Sequence, residues 1–193
     1  MITDTASGDK RADDPAIEAT REWVERAVIG LNLCPFARAV AGAGGIRYAT
    51  TDARDEGALV DALAIELELL AAAQPGEVET TLLIHPHVLQ DFLDYNDFLD
   101  IADDLVERLG LEGIVQVASF HPQYQFDGTA PDDIENYSNR SPHPTLHLLR
   151  EDSVERAVDA HPDTDLIAQR NIETLRRIGI EGWNKLGLAR AGK

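Results

Sequence analysis

The chain has 193 residues, with 17 basic against 35 acidic side chains for a net charge of −18, and 44% of its residues are hydrophobic. That is the composition of a folded globular protein, and the shortage of cations removes the phosphate-neutralising surface on which nucleic-acid binding rests. No apolar run approaches the roughly 18 residues of a membrane span, and the opening residues are polar and acidic, without the apolar core of a secretory signal. The expected compartment is the cytoplasm, with neither nucleic acid nor membrane as a partner. The lone Cys34 excludes an internal disulfide framework and every multi-cysteine zinc site.

Residues 1–13 read as a flexible leader, and residues 14–190 as one domain. Asp14-Pro15 has the N-cap and N1 arrangement, and Ile17, Val24, Ala27, Val28 and Leu31 recur near the helical period. A first helix is therefore predicted to about Gly30. Pro35 disfavours helical geometry at Cys34 and breaks the chain there. Gly42 to Gly45 read as a loop, followed by a strand over residues 46–50. Residues 55–73 form a helix with Leu59, Leu63, Leu67 and Leu70 on one face and Asp61, Glu66 and Glu68 turned away, ended by Pro75-Gly76.

A strand over residues 80–85 stops at Pro86, and apolar residues from Leu89 to Leu109 make the next helix. Residues 51–107 hold 15 acidic side chains and a single cation, Arg54, so these two helices present acidic outer faces, solvated or ready to dock a basic partner. Ile114 to Phe120 is nearly continuous in apolar character, as in an interior strand covered on both faces. A long loop over residues 123–144 follows, of a length that is functional or disordered in compact domains. Then come a strand over residues 145–149, a helix capped by Asp152 or Ser153 that runs to about Ala160, and a last helix from Thr164 or Asp165. The order predicts an α+β or α/β fold, a sheet of about four strands covered by helices, with a ferredoxin-like arrangement as one topology.

Two strands end in the same dipeptide, His85-Pro86 and His121-Pro122. If they are parallel neighbours, both imidazoles lie at the carboxyl ends where α/β sheets place ligands; otherwise each His-Pro merely stops its strand. His121, Tyr124 and Asp127 supply an imidazole, a phenol and a carboxylate within seven residues, enough for an acid/base centre, or alternatively for packing and a turn. Arg140, beside Asn136 and Asn139, suits a carboxylate or phosphate on a substrate, or closes its loop against Asp132, Asp133 or Glu135. Arg150 has the same two readings, with Glu151 and Asp152 beside it. His147 points either into the core or at the site, and Cys34 is either a nucleophile or a packing residue. A metal held by His121, His147 and a further ligand can be assembled on paper, yet the spacing matches no established metal signature.

The segments Leu31 to Ala37 (LNLCPFA), Phe120 to Phe126 (FHPQYQF) and Asn139 to Glu151 (NRSPHPTLHLLRE) together resemble the bacterial family known as domain of unknown function 1415. The resemblance spans nearly the whole chain after the leader and brings no established activity. It singles out Cys34-Pro35, His121, Tyr124, Asn139, Arg140 and His147. The family commonly has an aromatic residue where this chain has His143, which argues against an essential role for that imidazole.

The leading expectation is a small-molecule enzyme, a hydrolase, lyase or transferase acting on an anionic metabolite. His121 would be its acid/base, Tyr124 and Asp127 its helpers, Cys34 a nucleophile or wall, and Arg140 the anion anchor, with Asn136, Asn139, His147 and Arg150 around the substrate. The alternatives are a metal-dependent enzyme using His121 and His147 as ligands, and a non-enzymatic binding or interaction protein. The sequence defines no cofactor and no oligomeric state.

Overall fold

The structure, a computed structural model, describes residues 14–74, 76–160 and 164–188. The expected leader, Pro75 and the end of the expected domain at residue 190 lie outside them. Helix α1 (Pro15–Trp23) starts on Asp14, whose carboxylate accepts from the Ala16 N–H at 2.8 Å. It continues as a π-helix over Val24–Ile29. One backbone bond at the end of that turn spans five residues, from the Leu33 N–H to the Val28 carbonyl at 2.9 Å. Such wide turns are rare and concentrate at functional sites. Asn32 then takes a left-handed conformation with φ 56°, tolerable for an asparagine, and the chain turns through Cys34-Pro35 into a short helix α2 (Ala37–Gly42).

Strand β1 (Ile46–Thr50), helix α3 (Glu56–Ala72) and strand β2 (Thr80–Ile84) form a crossover unit with β1 and β2 parallel. Helix α4 (Phe92–Arg108) leads to β3 (Val115–Phe120), and after the long loop come β4 (Thr145–Arg150), α5 (Glu151–Asp159) and α6 (Ile167–Asn184). The sheet order is β1-β2-β4-β3, with β4 antiparallel to both neighbours. The fold is α+β, as expected. The unit β2-α4-β3, split by β4, is the half of a ferredoxin-like fold that the chain does form. β1, added in parallel, replaces the remaining antiparallel strand and makes the sheet mixed.

This topology corrects the reading of β3. It is an edge strand, and its first residue, Val115, is its only fully buried one. The interior positions belong to β2, buried throughout, and to β4. Sequence periodicity reports apolar character but not which strand will be inserted between two others.

Side chains alternate across the sheet. Leu83, Leu146 and Leu148 face α3 and α4, packing with Leu59, Leu63, Leu67, Tyr95 and Phe98. The other face carries Leu82, Tyr48 and Phe120 against Trp23, Val24, Leu175 and Trp183. Glu66, expected to turn outward, is instead buried and accepts a two-pronged interaction from Arg47, at 2.7 and 2.9 Å. The arginine's fork satisfies both carboxylate oxygens, which is what permits their burial. Among the described residues, no helix is long and apolar enough to cross a membrane.

Candidate functional site: a thiol and an imidazole on one apolar cavity

The His-Pro strand ends come first. β2 and β3 run in the same direction but are separated by β4, so His85 and His121 sit at one end of the sheet without being on neighbouring strands. Both rings lie against Tyr95, with centroids 5.7 and 5.0 Å away, and Phe92 and Tyr124 extend the cluster. His121 is completely buried. Its Nδ1 accepts from the Gln123 N–H at 3.0 Å and its Nε2 donates to the Leu89 carbonyl at 3.2 Å. With both nitrogens committed, the imidazole has no lone pair to offer a substrate. It holds Leu89, whose φ of 53° is strained for a branched side chain, at the entrance to α4. The acid/base assignment of His121 is therefore corrected to a structural one. His85 donates from Nδ1 to the Val88 carbonyl at 3.1 Å and buries an unpartnered Nε2.

The other expected site residues build the long loop. Asn136, fully buried, accepts from the Phe126 N–H and the Thr129 hydroxyl and donates to the Ala130 carbonyl. Asn139 donates to the Ser119 carbonyl and accepts from Ser138. Arg140 donates to the carbonyls of Tyr124 and Pro131 and lies over the Tyr137 ring at 4.6 Å. It is a staple for the loop, neither an anion anchor nor an ion pair with Asp132, Asp133 or Glu135. Glu135 pairs instead with Arg176 of α6 at 2.8 Å. Arg150 donates to the carbonyls of Leu70 and Ala73, satisfying the C-terminal end of α3. Asp127 is exposed, and Tyr124 packs its ring on Phe92 and Phe126. Neither side chain bonds His121, whose two nitrogens go to backbone groups. Asn136, Asn139, Arg140 and Arg150 read as substrate-facing in sequence because a network that satisfies backbone carbonyls and a binding network use the same residue types.

On the opposite face of the sheet a cavity of about 180 Å³ opens between the π-helical turn, α2, α5 and the strands. Its walls are mostly apolar, from Trp23, Val28, Phe36, Leu82, Phe120 and Leu149, and the same walls expose Cys34, Thr80 and His147. His147 is fixed from below. Its Nε2 lies 2.8 Å from the Thr80 hydroxyl oxygen, and that hydroxyl donates its one proton to the Leu148 carbonyl at 2.7 Å. A carbonyl can only accept, so the hydroxyl must accept from the imidazole, and Nε2 carries the hydrogen. Nδ1 is thereby left with its lone pair and makes no hydrogen bond among the described residues. The ring stacks on Phe120 at 5.3 Å, and Phe120 meets Trp23 edge-on at 4.9 Å. Burial pushes the imidazole down from 6.5 to about 4, so it is neutral at physiological pH.

Of the expected site residues, Cys34 and His147 are the two that the structure brings together. His121 and His147 lie on opposite faces of the sheet, so the metal-dependent alternative loses its shared ligand pair, and among the described residues no group of three His, Cys, Asp or Glu side chains stands ready for an ion. Thr80, Trp23 and Phe120 were not singled out in the sequence. Thr80 alternates with Leu82 on β2 and so shares its face, but only the register Thr80 to Leu149 and Leu82 to His147 shows that this face meets His147.

Two outcomes follow. Replacing His121 with Ala removes two buried hydrogen bonds and leaves a void, and is expected to cost roughly 2–4 kcal/mol in urea unfolding; an unchanged midpoint contradicts the structural role. The pH dependence has a definite sign. His85 and His147 are both held near 4 by burial, so below pH 6.5 the unfolded chain takes up protons that the native state refuses. Their contribution is complete above pH 6.5 and is lost as pH falls from 6.5 towards 4, on the order of 3 kcal/mol for each group. Denaturation of the wild type and of His147→Gln across that window is expected to show a shallower slope in the variant.

No curated protein and no solved structure matches the chain. A family model does: residues 15–185, from the first residue of α1 to the end of α6, match the model described as protein of unknown function (DUF1415). The resemblance carried by the three motifs is thus a membership, and the chain belongs to that family.

Proposed function

We propose that the protein is an enzyme that takes a small, largely apolar molecule into this cavity and attacks it with the Cys34 thiol, with His147 Nδ1 as the proton acceptor. The observation that carries this reading is that Cys34 and His147, whose Nδ1 has no hydrogen-bond partner among the described residues, line one apolar cavity. Cavities of about this size hold a molecule of single-ring dimensions. Among the described residues no Lys or Arg lines the walls, so a phosphate or carboxylate would be desolvated there without compensation. That favours a neutral substrate over the anionic metabolite suggested by the arginines.

In the step proposed, Cys34 Sγ bonds to an electrophilic carbon of the ligand, the thiol proton passes to His147 Nδ1, and the displaced electron pair leaves on the ligand's acceptor atom or leaving group. Thr80 keeps the imidazole in the tautomer this requires. A cytoplasmic location suits a free thiol, and a surface of net charge −18 argues against nucleic acid as a partner.

The rate of Cys34 modification by small, neutral methyl methanethiosulfonate and by anionic iodoacetate, each divided by its rate with free glutathione, tests this reading. The expected result is a normalised preference of at least about tenfold for the neutral reagent, reduced several-fold in His147→Gln. Equal normalised rates, unaffected by His147→Gln, would overturn the proposal.

A further inference from the structure

The walls of the cavity differ in how they are held. The sheet and the π-helical turn are locked by Trp23, Val24 and Leu82, all buried. Helix α2 is short, but backbone bonds tie both its ends, from Ala37 N–H to Cys34 and from Gly45 N–H to Val40. Helix α5 has no buried residue, as α2 has none, although Val154 and Ala157 line the cavity beside His147 and Leu149; what sets α5 apart is how it is attached.

Side chains make most of its attachments, and they converge on one residue of the loop before β2. Glu79 Oε2 accepts from the Ser153 hydroxyl and from Arg156 Nη2, the latter at 3.3 Å, while its Oε1 accepts from the Gly76 N–H at 2.8 Å. Arg156 also donates to Ser153 at 3.0 Å and pairs with Asp152 at 3.0 Å. At the other end, the Glu151 N–H bonds the Ile114 carbonyl at 3.0 Å and Arg150 is anchored to α3. A helix fixed at its first residue and held along its length by partly exposed polar contacts can swing without disturbing the core.

We infer that α5 is the gate of the cavity, hinged at Arg150-Glu151 and latched by Glu79, with Val154 and Ala157 as the movable part of the pocket wall. The inference rests on the cavity being the working site. It explains how an apolar pocket walled by well-packed strands admits a ligand, and why Glu79, itself in the cavity wall, holds Ser153 and Arg156 of α5.

Two readouts on the full chain test it: hydrogen exchange over residues 151–159, and Cys34 labelling by the bulky N-phenylmaleimide and the small methyl methanethiosulfonate. In Glu79→Ala, α5 alone is expected to lose protection, and labelling by the bulky reagent to rise about tenfold while the small reagent changes less than twofold. Arg156→Gln is expected to do the same to a lesser degree, which keeps the test intact if Glu79→Ala folds poorly. Unchanged α5 exchange in both variants overturns the latch. Faster exchange with unchanged bulky labelling overturns the gate while leaving the cavity reading in place. If the wild-type thiol already reacts with bulky, small and charged reagents at their free-thiol ratios, the cavity reading falls and the gate falls with it.

Discussion

The hydroxyl of Thr80 has one proton, and where it goes decides the chemistry available to the protein. Given to the Leu148 carbonyl, it leaves the hydroxyl oxygen to accept from His147, which fixes the tautomer and leaves Nδ1 with its lone pair in a residue that lines the cavity. The three residues sit on the two central strands, in a register locked on one side by the parallel β1-β2 pair and on the other by the β3-β4 ladder. Slipping β4 by one residue would turn His147 into the α3-α4 core and bring Leu148 to the cavity. The leucines at positions 146 and 148, fully buried in that core, make such a slip costly, so the packing on one face fixes the reactive group on the other.

The sheet also separates two histidine populations with different physics. His85 and His121 close the α4 face, stacked on Tyr95 and bonded to loop carbonyls, and they hold the turn that launches α4. His147 has one nitrogen engaged and the other free beside the thiol's cavity. Desolvation lowers the pKa of all three, so the shift alone does not distinguish a structural imidazole from a reactive one. What distinguishes them is their surroundings: His121 has both nitrogens committed, His85 has a buried, unpartnered Nε2 away from the cavity, and His147 lines the cavity. The π-helical turn contributes at the same place: its wider path carries Val24 and Val28 along the cavity and delivers the chain to the Cys34-Pro35 bend.

Much of the fold was legible because its signals are local. Asp14-Pro15 capped a helix, and the leucines of α3 fell on one buried face. The insertion of β4 between β2 and β3 was not legible, since it depends on pairing between distant segments, and it moved β3 to the edge. Within the site, Cys34 was placed by the proline that breaks the helix, while the period of its strand put His147 on one face and left open whether that face was core or site. His121, Asn136, Asn139, Arg140 and Arg150 misled for one reason: donors and acceptors that bind ligands are the same groups that satisfy backbone carbonyls in a long loop. Burial and partner identity tell these apart, and neither is written in a single sequence.

The protonation state of His147 tests the account most directly. In protein labelled with ¹⁵N-histidine, the nitrogen shifts of His147 are predicted to show a neutral ring with hydrogen on Nε2 and a bare Nδ1 at pH 7, persisting below pH 5. In Thr80→Val, which cannot accept the hydrogen, that tautomer preference is predicted to be lost. An imidazolium at pH 6, or hydrogen on Nδ1 in the wild type, would contradict the arrangement on which the proposed chemistry depends.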